Sequence, residues 1–130
     1  MEYRMVSCFA LTSLLVGASS SWAHHGFTAV FDPAKKLSVT GTLTRVDYRN
    51  PHIQLSLTVK TNRDELESWE IEAGPPAFFA RSGISRATFL KAIGQTVTVE
   101  AHPARNGSPR GSLLKITFAD GTSVVNDPSV

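Results

Sequence analysis

Four histidines and a few arginines are the side chains of this 130-residue sequence best suited to chemistry. His24 and His25 are adjacent, His52 follows Asn50-Pro51, and His102 precedes Pro103. Arg49 stands close to His52, and Arg105 and Arg110 follow His102. Imidazole nitrogens suit Cu(II), Ni(II) or Zn(II), and guanidinium groups are planar, forked donors for carboxylate or phosphate. Two chemistries follow. In one, Arg49, His52, Gln54, His102, Arg105 and Arg110 hold a small polar or anionic ligand, with Ser56, Ser68 and Glu70 adding polar contacts on the same outward parity. In the other, Cu(II) or Zn(II) is bound through His24, with His25, His52 and His102 as the remaining candidate ligands. A histidine at a free N-terminus offers its amine and Nδ1 to one Cu(II), and a further imidazole completes a nitrogen set.

Other chemistries find less support. Glu70 and Glu72 share one strand parity and could pair two carboxylates, but outward charges of this kind near Lys60 are the ordinary pattern of an exposed sheet face. No Ser lies in a Gly-x-Ser-x-Gly turn and no Gly-rich loop ends in Lys, so no recognisable catalytic constellation is present. The outward strand positions lack the stacked aromatics of single-strand nucleic-acid binding. A formal net charge of +2 also gives no reason to expect a polyanion. The expected partner is therefore a small polar or anionic ligand, or another periplasmic protein.

The metal chemistry depends on where the mature chain begins. Residues 1–4 are a short polar start with one arginine, and Met5 to Ala18 is a mostly apolar run, too short to span a bilayer. Ser21-Trp22-Ala23 places small residues where signal peptidase needs them, so residues 1–23 read as a signal peptide cut between Ala23 and His24. A second acceptable cut follows Ala18, and it would move the free amine away from His24. The expected location is periplasmic or secreted, with no membrane span after cleavage. Cleavage removes Cys8, Met1 and Met5, the only sulfur-bearing residues. The mature chain then has no disulfide and no soft ligand for Cu(I), and about one hundred residues must be held by a hydrophobic core alone.

The elements that position these residues read as strands. Residues 24–36 form an N-terminal arm, extended and then turning at Phe31-Asp32-Pro33, with Phe27 and Phe31 pinning it to the domain. In Leu37 to Tyr48 the apolar parity switches from Leu37, Val39 and Leu43 to Val46 and Tyr48 near Gly41, the mark of a bulged, bent strand. Ile53, Leu55, Leu57 and Val59 alternate inward in the second strand, and Trp69, Ile71 and Ala73 in the third. Gly74-Pro75-Pro76 ends that strand. A helical turn over Ala77–Ser82 and a short helix from Ser85 to Ile93 follow, the second with Phe89, Leu90 and Ile93 on its apolar side. Val97, Val99 and Ala101 mark a fourth strand, and Leu114, Ile116 and Phe118 a fifth, which Val124-Val125 extends. Three strands, a helix and two strands make a mainly β fold: a five-stranded OB-like Greek-key barrel with a short helix between strands three and four. A β-sandwich or an open meander capped by a helix is the competing arrangement. The barrel domain is expected over 37–125, with a frayed tail at 126–130. In such a barrel, loops one–two and four–five border the ligand face, which brings His52 and His102 to neighbouring loop mouths.

Ala23-His24-His25-Gly26-Phe27, the Gly41-Thr42-Leu43 strand, Asn50-Pro51-His52, Trp69, Gly74-Pro75-Pro76 and Asn106-Gly107-Ser108 together resemble an uncharacterised family of exported bacterial proteins, a domain of unknown function. The resemblance spans nearly all of the mature chain. Family members more often carry Ser in place of Gly26 and an aromatic near Ile53, departures that touch no histidine. The resemblance implies export and the extent of the domain, and it implies no activity.

Overall fold

A computed structural model describes residues 21–126. The expected signal peptide up to Ser20 and the tail from Asp127 lie outside the described residues, as do the side chains of His24 and His25. The elements are α1 (Ser21–Val30), β1 (Leu37–Asp47), β2 (Gln54–Lys60), β3 (Leu66–Glu72), α2 (Pro76–Arg81), α3 (Arg86–Leu90), β4 (Thr96–Pro103), β5 (Arg110–Thr117) and β6 (Ser123–Val125).

The apolar alternation read from the sequence is what closes the sheet. β1 pairs antiparallel with β2 and β4, β2 with β3, and β4 with β5. A parallel contact between β3 and β5, Glu70 to Glu72 against Arg110 to Ser112, completes the ring. The fold is thus a closed five-strand mixed β-barrel with short helices between β3 and β4, and β6 is added outside against β5. β1 serves both halves of the barrel, and its register shifts between Leu43 and Arg45. That bulge is the physical form of the parity switch: one extra residue bends the strand and turns its alternation over.

Leu43, Ile53, Leu55, Leu57, Ile71, Val97, Val99, Leu113 and Ile116 fill the barrel. Phe79 of α2 and Phe89 of α3 pack edge to face at 5.3 Å and join Phe78 and Phe118 in an aromatic plug. No buried polar or charged residue occurs among the described residues, so the core is held by packing alone.

Several local expectations are corrected. Residues 24–30 are helical rather than extended, because Phe27 and Phe31, four apart, come to one face and meet at 5.6 Å. Leu113 takes the core place expected of Leu114: β5 has its own bulge opposite Glu100 and Ala101, so its inward parity changes midway. Val124 and Val125 belong to a separate strand that folds back on β5. The second helix ends at Leu90, and Ile93 is 42% exposed in the turn that follows. Asn126 is tied down rather than frayed. Its backbone N–H donates to Leu114, its Nδ2 to the Leu113 carbonyl at 2.9 Å, and its Oδ1 accepts from Gly74 N–H at 2.8 Å. Among the described residues no helix is long and apolar enough to cross a membrane.

Candidate functional site

α1 is short and would not hold as an isolated helix, so its position rests on tertiary contacts. Phe31, at its exit, is 3% exposed and bridges to Ala104 in the loop between β4 and β5. Asp32 N–H donates to the Pro103 carbonyl, and Arg105 N–H to the Val30 carbonyl, both at 2.9 Å. Arg105 Nε donates to the Thr28 carbonyl at 2.6 Å. One arginine thus satisfies two carbonyls of the last turn, where a helix lacks internal partners and where positive charge is favoured. The carboxyl of Asp32 is held below its ordinary value of 3.8, first by the Ala34 backbone N–H, with Arg105 and Lys35 adding to this against the opposing effect of burial.

Between this helix and the barrel mouth lies a cleft of about 420 Å³. Gly26, Phe27, Val30 and Phe31 form its helical side. His52, the end of β3 through Glu72, Ala73 and Gly74, the start of β5 at Arg110 and Ser112, and Asn126 form the rest. Close approach favours Gly74 here: a Cβ would stand 2.8 Å from Asn126 Oδ1 and push that side chain aside. At the mouth His52 Nδ1 lies 2.7 Å from Glu72 Oε1. A carboxylate oxygen can only accept, so Nδ1 carries the proton and Nε2 is the nitrogen left over.

The residues expected to act together divide. His52 and Arg110 line the cleft. Arg49 does not: its guanidinium pairs with Asp47 at 2.8 Å. Arg105 is taken by α1. His102 Nδ1 donates to the Lys35 carbonyl at 2.8 Å, and its ring meets Phe27 edge-on at 6.2 Å, so it stands behind the cleft wall. Gln54, Glu72, Ser112 and His102 are register partners in turn on β2, β3, β5 and β4. Gln54 of β2 and His102 of β4 are therefore three strand spacings apart along this path, about 14 Å. Among the described residues no three His, Cys, Asp or Glu side chains converge as metal ligands. Of the three carboxylates on β3, Glu72 faces His52, Glu70 accepts from Ser56 Oγ at 3.1 Å and Glu67 accepts from Trp69 Nε1 at 2.7 Å.

Phe27, Val30, Glu72, Gly74, Ser112 and Asn126 are among the site residues that sequence reasoning missed. The four-residue spacing of Phe27 and Phe31 was the available signal for the helical wall. Nothing local in the sequence marks Asn126.

The sequence matches a family of unknown function (DUF6152) over residues 11–113, which takes in α1, the four barrel strands that follow it and the cleft-lining start of β5. No curated protein and no solved structure matches it. The chain belongs to this family of unknown function.

Proposed function

We propose that this member of the family is an exported binding module, periplasmic or secreted, whose cleft between α1 and the barrel mouth takes a small anionic ligand at Arg110. The observation that carries the reading is the state of the three loop arginines. Arg49 and Arg105 are committed to Asp47 and to α1, whereas the Arg110 guanidinium has no ion pair or hydrogen bond among the described residues and lines the cleft. The volume falls in the range of small-molecule pockets, with apolar walls and a few polar groups. Export fits this arrangement. A cut between Ala23 and His24 falls within α1 and leaves Gly26, Phe27, Val30 and Phe31 on the mature chain. The guanidinium at the mouth is a planar, forked donor suited to an anionic group.

The test is backbone and Arg-side-chain chemical-shift mapping with acetate, benzoate, succinate and inorganic phosphate. Saturable shifts at Arg110, Ala73 and Gly74 that vanish in Arg110→Ala are expected. Shifts that persist unchanged in that variant, or none at millimolar anion, would refute the reading.

A second reading rests on the orientation of His52. A ring whose Nδ1–H is held by a carboxylate presents Nε2 as an oriented metal ligand. Residue 24 precedes the cleft-lining Phe27 by three positions of α1, about 4.5 Å along the helix. Cu(II) or Zn(II) bound by His24 and His52 would follow. Intact mass gives the mature N-terminus, and titration of both metals into wild type and His24→Ala decides it. Micromolar binding lost in the variant supports a metal site, and unchanged affinity or no binding removes it.

A further inference from the structure

We infer that the ligand of this cleft is a monocarboxylate with an apolar body, headed at Arg110 and laid between α1 and the end of β3. The inference rests on the proposed anion site and adds the class of molecule.

Charge sets the head group. Arg110 is the one cleft-lining guanidinium, and its register partner on β3 is Glu70. Glu72, two residues further along the same strand face, lines the cleft itself. A single carboxylate can take the fork of Arg110 bidentately. The second charge of a phosphate dianion or a dicarboxylate would fall toward Glu72 or Glu70, where like charges are disfavoured. His52 offsets Glu72 only in part, and its Nδ1–H, already directed there, is not free for a second ligand charge.

The walls set the body. Phe27, Phe31 and Ala73 line the cleft, and Val30 lines it while 41% exposed, an aliphatic side chain left facing solvent on the helix side. An apolar ligand body would cover it. Gly26 supplies the room: an added Cβ there would meet nothing within 4 Å, and its backbone is not among the glycines of positive φ. Gly26 can therefore be enlarged without backbone strain, and a side chain at that position competes with the ligand body for the same space.

Each buried methylene tightens binding by up to about fourfold. Octanoate is therefore expected to bind at least tenfold tighter than acetate, and succinate and inorganic phosphate no tighter than acetate. Gly26→Leu should abolish the chain-length gain and leave acetate binding in place. Val30→Ser should reduce the gain by a second route, should the larger side chain disturb α1. Glu72→Gln should raise affinity for succinate while leaving octanoate within a few-fold. Acetate and octanoate of equal affinity, or phosphate bound tighter than either, would overturn the ligand class and leave the anion site standing. No binding of any anion at Arg110 would remove both.

Discussion

Replacing Phe31 with Ala tests whether the wall of the cleft can be released without opening the barrel. Phe31 is 3% exposed, yet it stands outside the contiguous cluster that fills the barrel. It packs instead with Phe27 and the β4–β5 loop. Truncating a buried Phe to Ala costs about 3–5 kcal/mol. What would still hold α1 is the bond from Asp32 to Pro103 and the two from Arg105 to Val30 and Thr28, with the partly exposed Asp32–Arg105 ion pair and the edge contact of Phe27 with His102 adding little. Each such bond contributes about 0.5–1.5 kcal/mol net, so together they only match the loss. α1 should undock while the strands stay paired. Native-state hydrogen exchange reads this directly. The amides of Phe31, Asp32 and Arg105 should lose roughly a hundredfold or more of their protection, since 1.4 kcal/mol is a factor of ten. The Leu43 and Gly94 amides, bonded to Gln95 and Leu43 across the barrel, should keep theirs. Phe79→Ala, inside the main cluster, should do the reverse and lower protection everywhere. Equal loss of protection at Phe31 and Leu43 in Phe31→Ala would show that helix and barrel open as one unit and that α1 is not separable from the strands.

Three further outcomes follow from local geometry. Gly41→Ala places a Cβ 2.5 Å from the Thr58 carbonyl oxygen and 2.9 Å from Val59 Cγ2. β1 and β2 must part, and urea unfolding should show a loss at the upper end of the about 1–3 kcal/mol typical of overpacking. Asn126→Ala leaves the half-buried Gly74 N–H and Leu113 C=O without their side-chain partner, and the same measurement should show a loss of about 1–3 kcal/mol. Asp32, whose carboxyl is held below 3.8, stabilises the docked α1 fully above its unfolded value and loses that contribution as pH falls through its lower folded value. The protection factor at Arg105, corrected for intrinsic exchange, should therefore fall below about pH 4, and Asp32→Asn should remove that fall; a profile unchanged in that variant would assign the acid effect elsewhere.

The barrel was legible because its code is binary. A strand buried on one face repeats every two residues, and Ile53, Leu55 and Leu57 are buried where alternation puts them. Even the bulge in β1 showed as a change of parity. The matching bulge in β5 did not, because Leu113 and Leu114 are both leucine and either parity reads as apolar. α1 was hidden for another reason. Its helicity depends on Phe31 meeting Ala104 and on Arg105 capping the last turn, contacts made across more than seventy residues of sequence. The site was half legible for the same reason. Residue type singled out the arginines near the loops, but type cannot say which one finds a carboxylate or a helix end nearby. Arg49 has Asp47 two residues away and Arg105 has α1, whereas Arg110 faces the cleft.

His52 is the residue on which the anion and metal readings compete, and the geometry makes the outcomes diverge. In the carboxylate site its part is indirect: it holds Glu72 at 2.7 Å, while Arg110 makes the bonds to the head group. His52→Ala should then change octanoate affinity only a few-fold, and in the direction of weaker binding, because the freed Glu72 carboxylate adds repulsion near the anion. In the metal site His52 supplies a ligand, while the Nδ1 of His102 is held by the Lys35 carbonyl. The same variant should then lose Cu(II) binding outright. Titrating octanoate and Cu(II) separately into His52→Ala, with Arg110→Ala beside it, separates the two. Copper affinity retained in His52→Ala would end the metal reading as drawn, and octanoate binding lost in His52→Ala but kept in Arg110→Ala would show that the anion sits on the imidazole and not on the guanidinium.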